Sequence, residues 1–119
     1  MAASSNTLHE TGLEPETVDR HRAIVSLMEE LEAVDWYDQR VEASTNAELR
    51  DVLAHNRDEE KEHAAMVLEW LRRNDAGFDR YLKAYLFTTG PIRERKAEST
   101  PVEVARDESL GIGSLKGPK

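Results

Sequence analysis

The sequence predicts an all-α protein: an antiparallel hairpin of two long helices plus a short third helix, with a four-helix bundle completed by dimerisation. Three observations carry this. Two long stretches, from Glu16 to about Ala43 and from near Ala47 to about Asn74, contain neither glycine nor proline. Each carries apolar residues three and four apart, the spacing that puts side chains on one helix face. Between them stand only Ser44, Thr45 and Asn46, so short a break that the helices must run antiparallel.

At 119 residues the chain suits one small domain. With 6% aromatic and 34% charged residues it has little apolar material for a large core, so help from oligomerisation is expected. A formal charge of −8 speaks against a nucleic-acid backbone as partner and suits attraction of cations. The lack of cysteine excludes disulfides, thiolate metal sites and cysteine nucleophiles, so any metal ligands must be Glu, Asp or His. The N-terminus has no basic segment followed by an apolar one, and no apolar run approaches membrane-spanning length. Neither export nor a membrane partner is therefore expected, and a bacterial-type cytoplasm is the expected location.

Residues 1–14 are polar and read as a flexible N-terminal arm. Pro15 fits the first turn of a helix, and the first helix should form a rod of roughly 40 Å at 1.5 Å per residue. Thr45 with Glu48 three residues on reads as a capping box for the second helix. After the Asn74 to Gly77 break, Phe78, Tyr81, Leu82, Tyr85 and Leu86 recur at i, i+3, i+4, i+7 and i+8, which predicts a short amphipathic helix ended by Gly90-Pro91. The helical domain thus covers 15–91. Residues 92–119 read as a flexible charged tail carrying a small apolar island, Leu110-Gly-Ile-Gly-Ser-Leu115, before a basic end.

The chemistry lies on two stripes. On the first helix the line Leu27, Glu30, Val34, Tyr37, Val41 holds one carboxylate among apolar and aromatic neighbours. On the second, the line Leu49, Val52, Asn56, Glu60, His63, Val67, Trp70 holds a Glu-x-x-His pair. With sixteen Glu and four His in the chain, chance alone supplies roughly half of one such pair, so the motif by itself is weak. Its register is what counts. Glu60 and His63 lie on the apolar line, whereas Asp58, Lys61 and Glu62 fall elsewhere on the helix. A carboxylate pointing inward must be paired, protonated or metal-bound. A complete four-helix di-iron site takes a Glu from each of two helices and a Glu-x-x-His from each of two others. This chain has one of each, so two copies about a two-fold axis would complete a site that the single chain lacks.

Glu29, Glu32 and Trp36 share a face beside the Glu30 stripe; their ordinary reading is an exposed acidic face with an anchoring Trp. Tyr37 is either a hydrogen-bonding neighbour of the metal ligands or a packed tyrosine. His55 reads as an interface histidine or a partner to a ligand, and Met28 and Met66 as core filler.

The chain resembles the encapsulated ferritins, two-helix ferritin-like proteins carried inside encapsulin nanocompartments. The resemblance spans nearly the whole length. It rests on residues 21–26 (HRAIVS), 28–37 (MEELEAVDWY), 55–64 (HNRDEEKEHA), 68–73 (LEWLRR) and 85–88 (YLFT). It implies that Glu30, Glu60 and His63 are the ferroxidase ligands, with Tyr37 nearby, and that two irons bind at each dimer interface. It implies a metal entrance site of Glu29, Glu32 and Trp36, which other divalent cations such as calcium can occupy. It further implies a homodecamer of five dimers inside an encapsulin nanocompartment. The shell protein would be bound through Leu110–Lys116, within a targeting peptide at 109–116, and would hold the iron mineral.

The expected activity is oxidation of Fe(II) to Fe(III) by dioxygen. The rival from another class is a non-catalytic helical oligomerisation module in which Glu30, Glu60 and His63 merely pair. A rubrerythrin-like peroxide-handling protein is disfavoured by the single hairpin and the absence of cysteines.

Overall fold

The structure is a computed structural model and describes residues 7–95. Every regular element among them is helical: α1 (Pro15–Ala43), α2 (Ala47–Asn74), α3 (Ala76–Tyr85) and a 3₁₀ turn (Ile92–Glu94). The all-α hairpin plus short third helix is therefore the fold. No helix among the described residues is long and apolar enough to cross a membrane. The expected targeting peptide, residues 109–116, lies outside the described residues.

Local chemistry explains each boundary. Pro15 opens α1 at a position where its missing N–H costs nothing, and the Glu14 carbonyl accepts from the N–H groups of Thr17 and Val18 at 3.0 and 3.1 Å. The start of α2 departs from the expected capping box. Asn46, not Thr45, is the cap: its side-chain oxygen accepts from the Leu49 N–H at 2.9 Å. Ser44 in turn accepts from the Asn46 N–H at 3.2 Å, which holds the cap residue in place. The side-chain amide sits one residue closer to the helix than the Thr45 hydroxyl, so Glu48 falls at the second helical position and the box cannot close.

The break before α3 is also tighter than the sequence suggests. A single extended residue, Asp75, separates α2 from α3, and its carboxylate accepts from the Phe78 N–H at 3.0 Å. Gly77 is thus inside α3. The helix ends at Tyr85, well before Gly90-Pro91, and Phe87 then adopts a left-handed backbone (φ +59°) with a fully exposed ring. The start of the expected tail is held: Tyr85 donates to the Arg95 carbonyl at 3.1 Å, and Arg95 donates to the Thr89 carbonyl at 3.1 Å.

The chain divides into two compact units, Met1–Leu68 and Glu69–Lys119. In the first, α1 and α2 are joined side by side by Arg57, which donates from α2 to Asp38 of α1 at 3.0 Å, and by Arg50, which donates to the Val41 carbonyl at 3.0 Å. In the second, Arg72 is gripped by Glu69, at 2.8 Å, and by Asp79, which ties the end of α2 to α3.

The core is small. Among the described residues only Ala64 and Leu71 are buried apolar side chains. Ile24, Leu31, Leu49, Val52 and Met66 stand substantially exposed. Met66 is therefore not core filler: one position short of Val67, it is carried to the flank of the apolar line.

Candidate metal centre

The two stripes face each other across the hairpin. Leu27, Glu30, Val34, Tyr37 and Val41 are all half-buried, as are Asn56, Glu60, His63 and Val67 on α2. Leu49, Val52 and Trp70, at the ends of the second line, are exposed. Helical periodicity carries Glu30 inward from α1 and Glu60 with His63 inward from α2, so three ligating groups meet on a face that is mainly apolar apart from Asn56.

One oxygen of Glu30, one of Glu60 and one ring nitrogen of His63 lie within 4.8 Å of one another. His63 Nδ1 is 3.3 Å from Glu60 and 3.6 Å from Glu30. This is the one group of three or more metal-ligating side chains among the described residues. Each member keeps a quarter to nearly half of its side chain exposed (26%, 25% and 44%), so the cluster opens to the surface of a single copy.

The electrostatics follow from two carboxyls sharing one place. A hydrogen bond to Glu60, then burial and the negative charge of Glu60, push the Glu30 carboxyl above its ordinary range. The same bond holds Glu60 down, helped by His63. Two carboxyls at one place are thus pushed apart, Glu30 toward its protonated form and Glu60 toward its ionised one. For His63, burial opposes the charged ring, but the hydrogen bond that the ring donates to Glu60 and the charges of Glu30, Glu60 and Glu59 outweigh it, and its pKa is raised. A cation at these three donors would favour their deprotonated forms. Two carboxylates and an imidazole are oxygen and nitrogen donors suited to iron.

The other expected site residues fall outside the cluster. Glu29 and Trp36 are exposed and Glu32 half-buried; none joins a group of three ligating side chains among the described residues. Tyr37 lies on the Glu30 stripe, half-buried, with the Arg40 guanidinium over its ring. His55 is no neighbour of the cluster: it pairs with Glu59 at 3.1 Å on the exposed side of α2. Two contributors were not anticipated from the sequence. Arg57 joins the helices one turn before Glu60, and Glu59 adds its charge to the field at His63. Arg57 has no spacing signal, because its bond to Asp38 spans the folded hairpin, whereas Glu59 stands four residues before His63 on the same helix, a spacing the sequence does contain.

A carboxylate–imidazole cluster between two antiparallel helices defines a ferritin-like protein. The model of the family described as EncFtn-like matches residues 6–89, and the chain belongs to that family. It is 62% identical to an encapsulated ferritin-like protein of Rhodospirillum rubrum over 130 aligned positions, covering 98% of this chain and 93% of that one. It is 52% identical to a ferritin-like protein of Thermotoga maritima, covering 79% and 82%. Its identity to an encapsulin nanocompartment cargo protein of Myxococcus xanthus is 31%, covering 73% and 76%. Among solved structures, a crystal structure of a protein from Nitrosomonas europaea is similar with a TM-score of 0.70 and 63% identity, covering 71% of this chain and 96% of that one.

Proposed function

We propose that this protein is a ferroxidase that oxidises Fe(II) to Fe(III) with dioxygen at a di-iron site formed between two copies. The observation that carries the reading is the half-set of donors. One chain brings Glu30, Glu60 and His63 within 4.8 Å and leaves them open to the surface. Three donors underfill an iron shell, and a second copy about a two-fold axis doubles them to the four carboxylates and two imidazoles of a dinuclear centre. The same two-fold contact would cover apolar side chains that one copy leaves exposed. Iron is the substrate: each ferrous ion gives up one electron to dioxygen. The residues would bind two ions close together.

The relatives' names extend this to location and partner. An encapsulated relative and an encapsulin cargo relative support delivery of Fe(III) for mineral storage inside an encapsulin nanocompartment. Leu110–Lys116 is the segment proposed to bind the shell, and a decamer of five dimers the proposed assembly. Glu29, Glu32 and Trp36 are the proposed entrance for iron, a site at which calcium can compete.

One observation favours the non-catalytic alternative: Glu30, Glu60 and His63 already satisfy one another at 3.3 and 3.6 Å. Native mass spectrometry with and without Fe(II) under anaerobic conditions separates the two. The ferroxidase reading expects two irons per dimer and none per monomer, with Fe(III) absorbance growing on admission of oxygen. A dimer that stays metal-free at excess Fe(II) leaves only the interaction module.

A further inference from the structure

Near the end of α1, three side chains form a contact that the iron chemistry above does not use. Arg40 is three residues from Tyr37 and four from Trp36, so both rings lie on the helix surface that its side chain covers. The guanidinium carbon sits 5.7 Å from the Trp36 ring centroid and 5.5 Å from that of Tyr37. Both distances fall within the about 6 Å at which a cation is attracted to a ring face. Arg40 also lies in the last turn of the helix, where the backbone dipole favours a positive charge.

A cation over a ring stabilises the ring's electrons, and it opposes loss of one of them, because the product would be a second positive charge beside the first. Trp36 and Tyr37 are among the most easily oxidised side-chain types. One is 45% exposed and the other stands on the Glu30 stripe. We propose that Arg40 is a redox-shielding residue, whose guanidinium raises the energy needed to remove an electron from Trp36 and Tyr37. Why a shield is useful rests on the ferroxidase reading: electrons passed to dioxygen must come from iron rather than from these rings. The shield itself exists without metal.

Nitrogen dioxide tests it on the full-length, metal-free protein, since it is a mild, uncharged oxidant that Arg40 cannot attract. The first molecule takes one electron from the ring and becomes nitrite, while the indole N–H or phenol O–H proton passes to buffer. A second couples to a ring carbon, whose hydrogen returns to the nitrogen or oxygen, leaving a nitro group that peptide mass spectrometry locates. Trp70, 40% exposed, is the internal reference for Trp36, and Tyr85 for Tyr37. In Arg40→Met and Arg40→Gln the Trp36:Trp70 and Tyr37:Tyr85 nitration ratios should rise about two- to fivefold. Arg40→Lys, which keeps the charge, should stay near wild type. Acrylamide quenching of Trp36 in a Trp70→Phe background should be alike in all variants. Unchanged ratios in the neutral variants overturn the proposal. So do equal increases in Arg40→Lys and Arg40→Met, which would mean that the guanidinium only covers the rings. With iron and oxygen, Arg40→Met should accumulate oxygen adducts at Trp36 and Tyr37 and lose rate over successive iron additions. A protein without oxidase activity would fail that second arm alone, and the nitration ratios would still decide the shield.

Discussion

In the proposed two-fold site, removing any one of Glu30, Glu60 and His63 would take a donor from both halves at once. Glu30→Ala, Glu60→Ala and His63→Ala should therefore weaken iron binding by at least about tenfold, measured by calorimetry with Fe(II) in the absence of oxygen. Glu32→Ala should keep the dinuclear stoichiometry and change only the rate of uptake, because an acidic surface raises local cation concentration without holding the ion in place. Retained affinity in all three ligand variants, or loss of stoichiometry in Glu32→Ala, would contradict this division. A second residue-scale expectation concerns acid. The hydrogen bonds from Arg72 and Arg73 hold the Glu69 carboxyl at about 2, below its ordinary 4.5. A depressed carboxyl contributes stability that is complete above the unfolded value and is lost as pH falls through the folded one. Thermal midpoints from pH 5 down to about 2 should thus fall more steeply in wild type than in Glu69→Gln. Exposure and salt keep the difference small, and it should shrink further at high ionic strength.

At the scale of elements, the caps give a sharp contrast. Asn46→Ala removes the bond to the Leu49 N–H and should cost about 1 kcal/mol in urea unfolding, as should Asp75→Ala at the start of α3, whereas Thr45→Ala should cost nearly nothing. A larger loss in Thr45→Ala than in Asn46→Ala would restore the capping box. The contrast also shows what was legible. Helix lengths and the hairpin were readable because long stretches without glycine or proline and a strict three-and-four spacing leave few alternatives. The inward register of Glu30, Glu60 and His63 was readable for the same reason. The exact cap was not, since Ser44, Thr45 and Asn46 are all good caps and only backbone geometry chooses among them. The one-residue break at Asp75 and the left-handed Phe87 were equally hidden. A glycine at 77 suggests a break that the Asp75 carboxylate makes unnecessary, and nothing in a phenylalanine signals a positive φ. The Arg57–Asp38 bridge spans 19 residues, beyond the reach of any local pattern.

At the scale of the whole molecule, the proposed half-site in each copy would make metal binding and assembly one equilibrium: iron that bound only the dimer would favour the dimer by mass action. The tail adds a second level. Leu110, Ile112 and Leu115 are three apolar side chains too close in sequence to bury much surface against one another, while Gly111 and Gly113 let the backbone follow a partner's surface. The occupant proposed to bury those side chains is the encapsulin inner wall. A decamer would present ten such segments at once, so weak single contacts would sum to strong attachment through effective concentration. Neither Glu30, Glu60 nor His63 lies near this segment in sequence, and the two functions should separate. Deleting Leu110–Lys119 should leave Fe(II) oxidation by the purified protein within error of the full chain. Co-expressed with its shell protein, the truncated chain should be missing from purified compartments, as read by gel densitometry of the shell fraction. Packaging at the full-length level would place the targeting signal elsewhere in the chain, and a parallel loss of oxidase activity would show that the tail takes part in assembling the metal site.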